Sequence, residues 1–183
     1  EVAEAKKQRR ASALESKKEL LAEVESIAAA NPSTVNWKRS GERIRTIVEQ
    51  WRAIKGVDRA KDDELWKRFS SARSEFNRKR QAHFDELDRN RERARLKKED
   101  LIAEAEALQD STDWGATSAK YRDLMNQWKA AGRAPRNVDD QLWERFRKAQ
   151  DVFFAARKAN NAEKDKEFEA NAEAKQALIC LLY

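Results

Sequence analysis

The sequence has very few of the residues that punctuate a chain. It holds four glycines and two prolines in 183 residues. None of them falls between Gly56 and Gly115. A β-protein of this length needs far more turn residues than that, so the scarcity points to long helices. Cysteine occurs once, as Cys180, which excludes an internal disulfide and any multi-cysteine zinc site and fits a reducing cytoplasm. Histidine also occurs once, as His83. No Ser/His/Asp set, Cys/His pair or glycine-rich phosphate loop can be assembled, so we expect no catalytic, cofactor-binding or metal-ligating residues and no small-molecule substrate. No apolar run approaches the roughly 20 residues that span a bilayer, so no membrane partner is expected.

What the sequence has in abundance is charge. Charged residues make up 39% of the chain against 40% hydrophobic, a balance suited to helices with narrow apolar stripes and wide solvated faces. It also repeats itself. Segment 37–80 overlays segment 114–157 without gaps. The overlay pairs Trp37 with Trp114, Trp51 with Trp128 and Trp66 with Trp143. Arg45/Arg122, Arg59/Arg136, Asp62/Asp139, Asp63/Asp140, Arg68/Arg145, Phe69/Phe146, Phe76/Phe153 and Arg80/Arg157 also coincide. All six tryptophans fall into register, which chance does not do. Upstream, Leu20-Leu21-Ala22-Glu23 matches Leu101-Ile102-Ala103-Glu104, with the change of offset absorbed in the turn around Asn31-Pro32-Ser33. A third copy opens at Leu178-Ile179 and departs at Cys180-Leu181-Leu182-Tyr183, reading as a truncated array or a scar. The chain begins without Met inside the helix-like stretch Glu1–Arg10, which reads as part of a longer protein.

The signature Leu142-Trp143-x-Arg145-Phe146-x-x-Ala149-x-x-x-Phe153-x-x-x-Arg157, preceded by Trp128-x-x-x-Gly132 and Asp139-Asp140, resembles a bacterial tandem-repeat family common in actinobacteria, domain of unknown function 349. The resemblance covers roughly residues 17–179 and implies helical repeats in a cytoplasmic protein, with no activity attached. The first copy departs from it in the loop Ile54-Lys55-Gly56-Val57-Asp58, where Gly and Pro are shifted or missing.

Each copy reads as three helical pieces. The first, Lys17–Ala30, carries Leu20, Leu21, Val24 and Ile27 at helical spacing and stops at Asn31-Pro32. The second starts after Asn36, or Asp113 in the second copy, both good N-caps. The third opens with Asp62-Asp63-Glu64, acidic residues suited to the positive end of the helix dipole. Nothing stops it before Gln109, so it runs into the first piece of the next copy. The expected fold is all-α without a β-sheet: elongated tandem three-helix repeats joined by a long continuous helix, spectrin-like in architecture. The expected organisation is 1–16 as the end of a preceding helix, 17–96 as repeat 1, 97–177 as repeat 2, and 178–183 as the start of a third, with the shared helix over about 62–109. Its middle, Asp88–Lys98, has little apolar content and is expected to bridge through solvent.

The aromatics recur at core spacing, so Trp51, Trp66, Phe69, Phe76, Trp128, Trp143, Phe146 and Phe153 are assigned to the core. Trp37 and Trp114, at helix starts, are expected to be the more exposed tryptophans. Asp62-Asp63 and Asp139-Asp140 are read as helix caps, because adjacent residues on a helix point too far apart to work as an acid–base pair.

Charge separates the copies. Residues 1–96 carry 24 Lys and Arg against 17 Asp and Glu, a net of +7, whereas residues 97–183 carry 15 against 16, a net of −1. Arg39, Arg43, Arg45, Arg52, Lys55 and Arg59 crowd the second helix of copy 1 and the loop after it, a stripe that can neutralise phosphates. The plainer reading is a solvated face of a charged helix. Arg39, Lys55, Arg73, Arg78 and Lys79 become Ala116, Gly132, Gln150, Ala155 and Ala156 in copy 2, which has lost much of the basic face. Two functions follow. The first is a non-enzymatic helical scaffold for a protein partner or self-association. The alternative is non-specific RNA, DNA or ribonucleoprotein binding through the basic face of repeat 1.

Overall fold

The computed structural model describes residues 1–182 and contains five helices, with no strand among the described residues. They are α1 (Val2–Ala29), α2 (Trp37–Ala53), α3 (Arg59–Leu108), α4 (Trp114–Ala131) and α5 (Arg136–Leu182). Residues 1–16 and the first predicted piece are one helix, α1. The predicted third piece begins at Arg59, one turn before Asp62, and runs unbroken to Leu108. The last helix likewise continues from Arg136 to Leu182, and the expected end at Tyr183 lies outside the described residues.

The turns follow from local chemistry. Pro32 cannot continue α1, and Asn31 Oδ1 accepts from the backbone and the hydroxyl of Ser33, closing an Asx turn. Asn36 Oδ1 accepts from the Arg39 N–H, and Asp113 Oδ1 from the Ala116 N–H, so both short helices are side-chain capped. Gly56 and Gly132 have φ of +92° and +80°, a region closed to most side chains. The loop of copy 1 therefore departs in sequence from that of copy 2, yet both place a glycine where the chain turns away from the short helix.

The chain divides into two compact units, residues 1–86 and 87–183. In unit 1, Leu21, Val24 and Ala28 of α1 pack with Ile44, Ile47, Val48 and Trp51 of α2 and with Leu65, Phe69, Ala72 and Phe76 of α3. In unit 2, Leu101, Ile102 and Ala105 of α3 pack with Tyr121, Leu124 and Trp128 of α4 and with Leu142, Phe146, Ala149 and Phe153 of α5. The ring geometry repeats. Trp51 stands 4.7 Å from Phe69 and Trp128 4.6 Å from Phe146, while Trp37–Phe76 and Trp114–Phe153 are both 5.6 Å.

Three expectations need correction. Trp66 and Trp143 are not core: they are 41% and 37% exposed, each lying against the outer side of a phenylalanine. Trp37, expected with Trp114 to be partly exposed, is only 7% exposed, because it closes the end of the bundle against Phe76 and His83, whereas Trp114 is half-buried. Stretch 88–98 is not wholly a solvent bridge, since Ala94 and Lys98 are buried in unit 2.

Lys98 belongs to a repeated buried ion pair. Its ammonium donates to Asp139 Oδ1 at 2.7 Å and lies 4.8 Å from the centroid of the Trp128 ring. Lys17 donates to Asp62 at 2.5 Å and lies 5.0 Å from Trp51. The aspartates read as caps thus sit in the first turn and also hold a lysine from another helix. A second repeated pair, Arg68–Glu25 and Arg145–Glu106, bridges helices at the surface.

Candidate nucleic-acid interface

The basic residues of unit 1 separate into three groups and a lone Arg39 once the helices are in place. Arg43 is committed to structure. Its guanidinium donates through Nε and Nη2 to the two oxygens of Glu23 on α1, at 2.5 and 2.7 Å. The fork holds the Glu23 carboxyl below its usual range, mainly through those hydrogen bonds. Lys55 and Arg59 line a hollow at the α2–α3 turn together with Lys6, Arg9 and Arg10 of α1. Arg39 is exposed on the first turn of α2.

Arg45 and Arg52 form the third group. They lie seven residues apart on α2, so they stack along one face roughly 10 Å apart. Arg73 and Arg80, also seven apart, do the same on α3. The short α2–α3 turn makes the two helices antiparallel, as the pairing of Trp51 with Phe69 and of Trp37 with His83 requires. The four arginines consequently line a single cleft of about 340 Å³, floored by Ile44, Val48 and Phe76. Glu49 is the one carboxylate in its lining. Among the described residues, no carboxylate lies within 4 Å of any of the four guanidinium groups. Four like charges on adjacent faces repel one another, offset in part by Glu49 and screened by solvent and salt.

The corresponding place in unit 2 is built differently. Arg157, the counterpart of Arg80, donates to Ser118 Oγ at 3.0 Å. Copy 1 has Gly41 where Ser118 stands, so Arg80 has no such tether and remains exposed. Tyr121 and Phe154 replace Ile44 and Asn77, and their rings are 5.8 Å apart. The Tyr121 hydroxyl donates to the Ala105 carbonyl at 2.7 Å, and burial pushes its pKa up to about 12. Gln150 replaces Arg73.

Of the sequence-predicted set, the structure brings Arg45 and Arg52 into the cleft, sends Lys55 and Arg59 to the second hollow, and gives Arg43 to Glu23. Arg73 and Arg80 complete the cleft. Their signal was in the chain: two arginine pairs with the same seven-residue spacing, on helices joined by a short turn. Lys17 and Lys98 were also readable, as an identity at the upstream offset that aligns Leu20 with Leu101.

Shared helices, duplicated cores and duplicated ion pairs define a helical tandem-repeat protein. The chain belongs to the family described as Domain of Unknown Function (DUF349), whose sequence model matches residues 1–60, 64–137 and 141–181. The matched segments each open on a long helix, and the two complete ones add a short helix, so the family's unit is long helix plus short helix. A compact core draws on two such units. No curated protein and no solved structure matches the chain. Among the described residues, no helix is long and apolar enough to cross a membrane.

Proposed function

We propose that this chain is a non-enzymatic helical-repeat module of the bacterial cytoplasm, and that unit 1 binds nucleic acid through its phosphate backbone. The observation that carries the proposal is the cleft in which Arg45, Arg52, Arg73 and Arg80 converge around a single lining carboxylate, Glu49, with no ion pair to any of the four among the described residues. Phosphates entering the cleft relieve the repulsion between the arginines and release the counterions of the nucleic acid. Such contacts carry no base information, so binding is sequence-independent and salt-sensitive. A cytoplasmic setting is supported by the single exposed cysteine and by helices too polar to span a bilayer.

Gel-shift titration with RNA and DNA at two salt concentrations tests this. A shift that weakens with salt, with a log–log slope near −3 for about four phosphate contacts, is expected. Arg45→Glu combined with Arg73→Glu is expected to abolish it. No shift at low salt, or one indifferent to that double variant, refutes the assignment.

A protein-docking scaffold, for another protein or another copy of the chain, is the second reading. It is favoured by Trp66 and Trp143, half-exposed at equivalent positions of both units. It ranks behind because each ring is already laid against a phenylalanine, whereas among the described residues none of the four arginines has a carboxylate within 4 Å. Light scattering that shows a strict monomer removes its self-association form.

A further inference from the structure

We propose that the arginine cleft of unit 1 is a single-strand site, in which phosphates lie on the arginines and a base stacks on Phe84. The proposal rests on the nucleic-acid reading above and deepens it.

Phe84 is 41% exposed, although it is a large apolar side chain one helical turn beyond Arg80. The Arg80 guanidinium, which lines the cleft, lies 5.8 Å from the centroid of the Phe84 ring. His83 meets the same ring edge-on at 5.4 Å. The cleft therefore ends on a part-exposed aromatic ring beside the last of its arginines. A basic groove finished by an exposed aromatic is the combination that holds single strands: the groove tracks the backbone and the ring takes the face of a base. A base inside a duplex has both faces covered by its neighbours and cannot offer one to Phe84.

The second copy provides an internal comparison. The position of Phe84 is Asn161 there, and that of Arg73 is Gln150. Arg157 is tied down by Ser118, and Tyr121 and Phe154 stand at the positions of Ile44 and Asn77. The second copy keeps the same core and three of the four cations, as Arg122, Lys129 and Arg157, but it lacks the fourth cation and the ring at the Phe84 position, and its own part-exposed ring, Phe154, stands at the Asn77 position instead. Both Phe84→Asn and Arg73→Gln import a residue that the same fold already carries in its other copy.

Fluorescence anisotropy on the whole chain tests the proposal, with labelled oligo(dT), oligo(U), a duplex of equal length, heparin and poly-glutamate as probes. The single strands are expected to bind more tightly than the duplex. Phe84→Asn is expected to weaken single-strand binding about tenfold, the scale of one stacked base, and to leave heparin binding unchanged. Phe84→Trp is expected to retain it. Arg73→Gln is expected to weaken single strands, duplex and heparin alike. Equal affinity for single strand and duplex, or indifference to Phe84→Asn, overturns the single-strand proposal and leaves the phosphate reading standing. No binding to any nucleic acid or to heparin overturns both. Tighter binding of poly-glutamate than of the oligonucleotides reassigns the cleft to an acidic protein and also overturns it.

Discussion

Lys17 is buried to 6% side-chain exposure with its ammonium 2.5 Å from Asp62, whose own side chain is 38% exposed. The pair is lopsided: one end is enclosed and the other is wet. Removing Asp62 leaves a buried cation that only the Trp51 face can stabilise, whereas removing Lys17 leaves a carboxylate that water can reach. Asp62→Ala is therefore expected to cost about 2–3 kcal/mol, below the range for a fully buried pair because the site is open on one side. Lys17→Met, which fills the same space, is expected to cost about 1 kcal/mol or less. Lys98 and Asp139, at 5% and 30%, should show the same order. Urea unfolding of the four variants measures it, and equal costs at both ends would show that the pair is not lopsided in energy.

The tryptophans offer a second contrast. Trp51 and Trp128 are 4% and 8% exposed, whereas Trp66 and Trp143 keep more than a third of their surface in water. Truncating a buried aromatic costs about 3–5 kcal/mol through lost burial and the cavity left behind. Trp51→Ala and Trp128→Ala are expected in that range. Trp66→Ala and Trp143→Ala are expected at roughly half of it, because the outer ring face is already hydrated. Thermal denaturation monitored by circular dichroism ranks the four.

Why the sequence misplaced Trp66 but placed Trp51 correctly is a matter of angle. Trp66 precedes Phe69 by three residues, a spacing that puts both on one side of the helix. Spacing does not say which of the two points at the partner helix and which lies at its rim. The helices themselves were legible, because Pro32, Asn36, Asp113 and the two loop glycines act through local backbone chemistry that needs no partner. The cleft was only half legible. Arg45 and Arg52 show their spacing along one helix, but the approach of Arg73 and Arg80 depends on how α2 and α3 dock. Arg43 looked equivalent to its neighbours until the position of Glu23 on α1 was known. Charge reads in sequence as a property of one element, and its pairing is decided between elements.

The raised pKa of Tyr121 makes a statement about alkaline stability. An ordinary tyrosine titrates near 10 when unfolded, and the folded protein holds Tyr121 neutral up to about 12. Folding thus favours the protonated phenol. That contribution is complete below pH 10 and is lost as pH rises through 12. Tyr121→Phe is expected to cost about 1 kcal/mol at neutral pH, since the Ala105 carbonyl loses its donor. It is also expected to flatten the fall in stability above pH 10. The two proteins differ only in that hydroxyl, so the difference between their pH profiles isolates the phenol. Parallel profiles would mean that the hydroxyl ionises without strain in the fold.

Arg43 and Arg45 are two residues apart on α2, carry the same charge and are expected to do opposite things. Arg43 is forked onto Glu23, and Arg45 lines the cleft. Arg43→Gln is expected to lower the urea midpoint at neutral pH and to leave the salt dependence of nucleic-acid binding intact. Arg45→Gln is expected to leave the midpoint unchanged and to reduce the salt slope by about one phosphate contact. Acid separates them further. The Glu23 carboxyl is held below its ordinary value, so the stability it contributes is present above the usual carboxylate range and is lost as pH falls through the lowered value. The gap between wild type and Arg43→Gln should therefore close in acid, while Arg45→Gln tracks wild type throughout. If both substitutions moved binding and stability together, the division of this helix into a structural arginine and a ligand-facing one would fail.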